Sequence, residues 1–144
     1  MNKIFKFISA SILGLLLTTG VFAKTEVVYI QKNTGNPYFD SIIKGFEVGA
    51  EKYGYNFSTV APATADATSQ LPFIKAEIQR GVDVIAISPN SNDALNTVFD
   101  QARKKGIIVM VVNGDIPGSE AHRDLAIMQV DFSTVGTAQM TLMG

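Results

Sequence analysis

From residue 25 onward, the sequence alternates between short runs of β-branched and aromatic residues and longer segments with helical periodicity. The short runs predict strands at residues 26–30, 56–60, 84–87, 107–112 and 125–130. Apolar residues spaced three and four apart predict helices at residues 40–53, 71–80, 92–105 and 133–143. Strands that alternate with helices form a parallel sheet covered on both faces. The predicted fold class is therefore α/β, a doubly wound parallel sheet with strand order 2-1-3-4-5.

The first 23 residues have the layout of a secretory signal peptide. Lys3 and Lys6 precede an apolar run at residues 8–17, and the small Ala23 stands where a signal peptidase cuts. The alternative is an N-terminal membrane anchor, but the run is short compared with the roughly 20 residues that a spanning helix needs. We therefore expect a cleaved signal peptide at residues 1–23 and an exported domain at residues 24–144.

The composition excludes several classes of site. The chain has no cysteine, which excludes disulfides, thiolate zinc sites, a cysteine nucleophile and lipid attachment through an N-terminal cysteine. The formal net charge of −1 predicts no nucleic-acid surface. No phosphate-binding glycine motif and no G-x-S-x-G motif is present, and the single histidine, His122, is expected to be an exposed loop residue. We therefore predict neither an enzyme, nor a metal site, nor a cofactor.

Polar loops follow the first, third and fourth predicted strands, at residues 31–39, 88–93 and 113–115. Ligands of open α/β sheets bind beyond the C-terminal ends of the strands, so these loops are the candidate site. They contain side-chain amides, carboxylates, aromatic rings and the ammonium of Lys32. This mixture suits a neutral polyol, because amides and carboxylates bind neighbouring hydroxyls and a ring covers the C–H face of a sugar. The alternative, that these residues only form turns, stays open.

Single residues near these loops have more than one interpretation. The spacing of Phe46 predicts a core position, and Tyr38, beside a proline, is expected to face the pocket or a hinge. Phe39 fits either the core or the site. Asp131 follows the fifth strand and either approaches the ligand edge or simply precedes the cap of the last helix.

Four segments carry a resemblance to a known family: N-T-G-N-P-Y-F, A-T-A-D-A-T-S-Q, Q-R-G-V-D-V-I-A-I-S-P-N and V-V-N-G-D. With the export signal, they resemble the periplasmic sugar-binding proteins of ABC importers. Within that family the chain is most similar to the branch with the rhamnose-binding and autoinducer-2-binding proteins, and the ribose-binding proteins are more distant. The resemblance implies a periplasmic location and two α/β lobes that close on the ligand about a hinge. It also implies a membrane ABC permease as the partner of the closed form.

The resemblance covers the first, N-terminal lobe. Such proteins are much longer and have a second lobe, whereas this sequence stops within its last predicted helix, so we expect an incomplete lobe. Carried over residue by residue, the ligand contacts fall on Lys32, Asn33, Asn36, Phe39, Asn90, Asn113 and Asp115, with Tyr38 and Asp131 as further candidates. Similar proteins often have aspartate at the position of Asn113, so the asparagine keeps a partner for hydroxyls but removes a charge.

The function that the resemblance implies is capture of a small sugar, rhamnose or a related sugar or autoinducer-2, for ABC import. The partners would be the sugar and the permease, without nucleic acid and without catalysis. The alternatives are a sensing component for chemotaxis or signalling, or a fragment without function. A sugar-active enzyme would need a carboxylate pair with acid and base roles, and an effector domain of a transcription regulator would need a DNA-binding segment in place of the export signal.

Overall fold

The computed structural model describes residues 23–91, 93–114, 118–127 and 140–141. The predicted alternation of strands and helices is confirmed, with boundaries that shift by one or two residues. In chain order the elements are β1 (Glu26–Ile30), α1 (Tyr38–Tyr53), β2 (Asn56–Val60), α2 (Leu71–Arg80), β3 (Val84–Ile87), α3 (Asp93–Lys104), β4 (Ile108–Val112), a short 3-10 helix (Glu120–His122) and β5 (Leu125–Ile127).

The five strands form one parallel sheet in the order β2-β1-β3-β4-β5, which confirms the predicted order. Val28 in β1 lies between Ser58 of β2 and Ile85 of β3. The central strand β3 is a run of four apolar residues, as is typical of strands covered on both faces. The direction of the crossovers reverses between β1 and β3, and ligands of open sheets bind outside the strand ends at such a point.

The larger core lies on the face that α2 and α3 cover. Ile74 and Ile78 of α2, and Leu95 and Phe99 of α3, are buried against strand residues such as Ile85. Their spacing of three or four residues places each pair on one side of its helix. Burial of such side chains contributes about 1.5–3 kcal/mol each, so this face holds the helices that precede and follow β3 in place.

The opposite face carries a smaller aromatic core beneath α1. Phe46 of α1 stacks between Tyr29 of β1 and Phe57 of β2, with ring centroids 5.3 and 5.4 Å apart. Ile42, one helical turn before Phe46, is buried in the same cluster. The predicted core position of Phe46 is therefore confirmed, and these contacts fix α1 over β1 and β2.

Helix α1 begins two residues earlier than its periodicity predicts. Pro37 has a helical φ of −64°, and the Oδ1 atom of Asn36 accepts a hydrogen bond from the Tyr38 N–H at 3.1 Å. A proline and an Asx turn at this point start the first turn of the helix. The helix ends at Gly54, whose φ of 72° is a left-handed conformation that glycine adopts without strain.

Several predictions fall outside the described residues. They include the signal peptide, apart from its last residue, and the candidate contacts Asp115 and Asp131. The described part of the predicted fifth strand is residues 125–127, and of the predicted last helix only residues 140–141, which are helical. Among the residues that the structure describes, no helix is long and apolar enough to cross a membrane.

Candidate functional site

The C-terminal ends of β1, β3 and β4 lie side by side, because these strands are neighbours in a parallel sheet. The loops that follow them therefore meet at one edge, which we call the strand-end edge: residues 31–37, 88–91 and 113–114. Six of the predicted contacts stand on these loops or at the start of α1 directly after them: Lys32, Asn33, Asn36, Tyr38, Asn90 and Asn113. The structure thus brings together the three loops that the sequence indicated, and their hydrogen bonds decide which side chains are available to a ligand.

A buried glutamine connects two of these loops. Gln70, directly before α2, has no exposed surface, and its Nε2 atom donates hydrogen bonds to the carbonyl oxygens of Gln31 and Ser88, each at 2.8 Å. Its Oε1 atom accepts from the backbone N–H of Asn90 at 2.8 Å. One amide therefore holds the chain after β1 and the chain after β3 at a fixed separation. Gln70 was not among the functional candidates predicted from the sequence, although it ends the A-T-A-D-A-T-S-Q segment.

The side-chain amide of Asn90, a predicted ligand contact, donates hydrogen bonds to other residues of the protein. Its Nδ2 atom donates to the Lys32 carbonyl oxygen at 2.8 Å and to Ser69 Oγ at 3.1 Å. Its Oδ1 atom is buried and has no hydrogen-bond partner in the described part of the chain. The side chain of Asn90 thus positions the backbone of Lys32.

Lys32 is half-buried at this edge. Among the described residues, no carboxylate lies within ion-pair distance of its ammonium. An ammonium without a carboxylate partner retains its three hydrogen-bond donors for another group. Lys32 is the cationic side chain among the described residues of the strand-end edge.

A second buried group connects the ends of β3 and β4. The Ser88 hydroxyl donates to the Val112 carbonyl oxygen at 3.1 Å, and the Tyr29 hydroxyl lies 2.8 Å from Ser88 Oγ. Because serine has a single hydroxyl hydrogen, Tyr29 must be the donor to Ser88. Burial raises the pKa of Tyr29 above its ordinary value, in the direction that favours the protonated, donating phenol. Ser88 belongs to the polar loop predicted at residues 88–93, whereas Tyr29 has the sequence pattern of an ordinary strand residue and was not predicted to have a role at the site.

Asn113 follows β4 and meets Tyr38. Its backbone has a φ of 69°, in the left-handed region that asparagine tolerates better than most residues. The backbone N–H donates to the Ile127 carbonyl oxygen at 3.0 Å, and the side-chain Oδ1 accepts from the Tyr38 hydroxyl at 2.5 Å. Half of the surface of Tyr38 is exposed. The ring of Tyr38 is thus accessible at the strand-end edge, and its hydroxyl reaches the end of β4.

Three predicted contacts differ from expectation. Asn33 donates through Nδ2 to the Thr34 carbonyl oxygen at 2.9 Å, and the Oδ1 atom of Asn36 caps the start of α1. Hydrogen bonds of this kind stabilise turns, as in the alternative interpretation that these polar residues form turns. Phe39 is 2% exposed and packs in the aromatic core with its ring edge-on to Tyr38. Its ring is therefore covered by the lobe, and Tyr38 is the aromatic residue left at the edge.

His122 is half-buried and bonded to α3, which corrects its assignment as an exposed loop residue. Its Nδ1 atom lies 2.9 Å from Asp100 Oδ1, and this contact ties the loop between β4 and β5 to α3. Within the described ranges, no group of three His, Cys, Asp or Glu side chains is arranged to hold a metal ion.

An apolar groove of about 480 Å³ lies between α1 and the face of the sheet, away from the polar loops. Its lining consists mostly of aliphatic and aromatic residues, among them Phe46, Tyr55, Met110 and Ile127. Hydroxyls that lose water without gaining hydrogen bonds are costly to bury, so this groove does not suit a sugar. The polar strand-end edge is the better candidate for a hydroxylated ligand.

Comparisons with known proteins agree with this fold. The chain is 32% identical over 111 residues to the D-allose-binding periplasmic protein of Escherichia coli, an alignment that covers 76% of this chain and 36% of that protein. A solute-binding protein of an ABC transporter from Clostridium phytofermentas, solved with bound L-rhamnose, superposes with a TM-score of 0.76 at 28% identity, covering 83% of this chain and 37% of the other. LsrB from Clostridium saccharobutylicum, solved with AI-2, gives a TM-score of 0.74 at 25% identity, covering 81% and 35%.

The chain therefore spans little more than a third of the length of these three proteins. Residues 27–144 match the family described as Periplasmic binding protein domain. The match covers most of the chain and confirms the family resemblance and the α/β lobe expected from the sequence. The chain belongs to the periplasmic binding protein domain family.

Proposed function

We propose that this chain supplies one wall of a binding site for a small neutral sugar or sugar-like solute, and that the whole protein captures it for import. The observation that carries the proposal is the strand-end edge, where Lys32, Tyr38 and Asn113 stand on three segments that side-chain hydrogen bonds hold together. The sugar-binding relatives support this site, because they share the lobe that builds it.

The residues at the edge offer the hydrogen bonds that a polyol needs. The Asn113 amide combines two donor hydrogens with an acceptor oxygen in one plane, so it can bind two neighbouring hydroxyls. The Lys32 ammonium offers charge-assisted donors to a ring or carbonyl oxygen. We include Asp115 in the proposed site as a carboxylate acceptor close in sequence to Asn113. The exposed ring of Tyr38 would cover an apolar sugar face.

The partners and the location are part of the same proposal. Residues 1–23 would direct export and be removed, which places the mature chain in the periplasm. The permease of an ABC importer would receive the loaded protein. We propose rhamnose, a related sugar or autoinducer-2 as the ligand class, because proteins solved with L-rhamnose and with AI-2 share this fold. The sugar would be bound and released unchanged.

A thermal-shift panel tests this function. The full chain would be expressed in a bacterium that can export it, and melted with L-rhamnose, D-allose, D-ribose, D-arabinose and autoinducer-2. A ligand that binds only the folded state raises the melting temperature by mass action. We expect one or more of these compounds to raise it in wild type and not in Asn113→Ala. Equal melting with and without every compound, in a cooperative transition and at ligand concentrations high enough to detect the weak binding expected of one wall, would contradict the proposal.

A further inference from the structure

We propose that Gln70 is the positioning residue of the strand-end edge, which sets the affinity for the sugar without touching it. This inference rests on the proposed function, since it concerns the affinity of the same site. Gln70 stands directly before α2, on a different segment from the loops that carry the proposed contacts, and its side chain is completely buried. Its influence on a ligand must therefore pass through the backbone that it holds.

The hydrogen bonds of Gln70 use nearly the whole capacity of its amide. Both hydrogens on Nε2 are donated, one to Gln31 and one to Ser88, and Oε1 accepts from Asn90. The backbone carbonyl of Gln70 also accepts from the Ile74 N–H at 3.0 Å, so the residue is anchored in the first turn of α2. A side chain held in this way joins three chain segments with fixed geometry.

The chain of contacts continues to the proposed ligand cation. Gln70 fixes the backbone N–H of Asn90, and the side chain of Asn90 donates to the carbonyl oxygen of Lys32 and to Ser69. Loss of the Gln70 amide would therefore loosen the backbone on which Lys32 stands. Bound groups must be held within fractions of an ångström for full effect, so such loosening weakens binding even where the fold survives.

Replacement of Gln70 by glutamate tests whether its hydrogen bonds position the loops for sugar binding or only stabilise the fold. The side chain keeps its shape and its acceptor for Asn90, but a carboxylate cannot donate to Gln31 and Ser88. Burial raises the pKa of such a carboxyl group, so acidification restores one donor. We expect Gln70→Glu to bind the sugar about tenfold more weakly than wild type near neutral pH and to recover part of this loss toward about pH 5. Gln79→Glu, which places the same charge change on the exposed side of α2, should behave like wild type.

A measurement that needs no sugar accompanies this test. Hydrogen exchange of the Asn90 amide reports directly on its bond to Gln70 Oε1. We expect slow exchange in wild type and in Gln70→Glu, which keeps the acceptor, and exchange about tenfold faster in Gln70→Met, which lacks it. If Gln70→Glu does not fold at neutral pH, acidification should restore both a cooperative melt and sugar binding. That result would equally support the role of Gln70 as a donor that positions the loops.

The outcomes distinguish the inference from the function on which it rests. Unchanged sugar affinity in Gln70→Glu and Gln70→Met, with wild-type exchange at Asn90, would overturn the role of Gln70. A wild-type chain that binds no sugar, while Asn90 exchange responds to Gln70 as expected, would contradict the proposed function and leave the backbone restraint supported.

Discussion

The Tyr38 hydroxyl donates a hydrogen bond to Asn113 Oδ1 at 2.5 Å and so joins the start of α1 to the end of β4. The two residues are 75 positions apart, and β3 lies between the strands that precede them. Because Oδ1 accepts the phenol hydrogen with one of its two lone pairs, the amide of Asn113 is oriented before any ligand arrives and keeps a second acceptor site. A preoriented amide loses less conformational freedom on binding, which favours affinity.

Removal of the Tyr38 hydroxyl should weaken sugar binding while the fold persists. In Tyr38→Phe the ring remains but Asn113 loses the donor that orients it. A hydrogen bond of this kind contributes about 0.5–1.5 kcal/mol net, so we expect affinity to fall by about 2- to 10-fold. Calorimetric titration beside a thermal melt measures both quantities. Equal or tighter binding by Tyr38→Phe would show that the hydroxyl competes with the ligand for Asn113.

Two substitutions of Asn113 distinguish the effect of its side-chain amide on affinity from the effect of its backbone conformation on stability. Alanine and glycine both remove the amide, and we expect both to weaken sugar binding by at least about tenfold, the effect of one or two lost hydrogen bonds. Alanine alone is strained at a φ of 69°, so Asn113→Ala should be about 1 kcal/mol less stable than Asn113→Gly. Denaturant unfolding gives the stabilities. Wild-type affinity in Asn113→Gly would remove this residue from the site.

The buried phenol of Tyr29 should make stability fall at alkaline pH. Burial raises its pKa above 10.0, so the folded state holds the proton more tightly than the unfolded state. The stabilising contribution is therefore complete below about pH 10 and is lost as the pH rises through the folded pKa. Melting temperatures measured across this range should decline more steeply in wild type than in Tyr29→Phe. Parallel curves for the two proteins would contradict the assignment.

The exposed apolar side chains of β5 should promote self-association. Leu125 and Ile127 are 54% and 49% exposed and extend the apolar face that begins with Met110 and Val112, their partners in β4. Such a patch favours association in water. We expect Ile127→Gln to bind less of a fluorescent apolar dye. We also expect the chain to remain monomeric up to a higher concentration than wild type. Its stability should change by no more than about 0.5 kcal/mol, as for other surface substitutions.

The strands and helices were predictable because their signals are local. The apolar run of β3 and the helical spacing in α3 arise from which side chains must be buried, and this is visible in the sequence. The start of α1 was also encoded. Once Tyr38 is the first helical residue, Phe39 falls three and seven positions before Ile42 and Phe46 and shares their buried face. Whether Phe39 belongs to the core or to the site thus depended on where α1 starts, and the predicted start was two residues too late.

The polar framework of the site was not predictable in the same way. Gln70, Ser88 and Asn90 are residue types typical of loops, and the partners of their side chains in other loops and strands lie 18 to 59 positions away. Which polar groups become buried and paired depends on the tertiary arrangement of the loops, to which periodicity gives no access. The sequence therefore located the strand-end edge correctly, but did not distinguish the side chains that position the loops from those that remain available to a ligand.

A titration of the isotope-labelled chain with sugar, followed through its backbone amide resonances, tests the central claim most directly. This measurement detects weak binding, which is expected when a single wall covers little of the ligand surface. We expect shifts that saturate and that concentrate at Lys32, Asn90 and Asn113, and we expect Asn113→Gly to abolish them. An absence of shifts with all five compounds, or shifts confined to the apolar groove beneath α1, would contradict it.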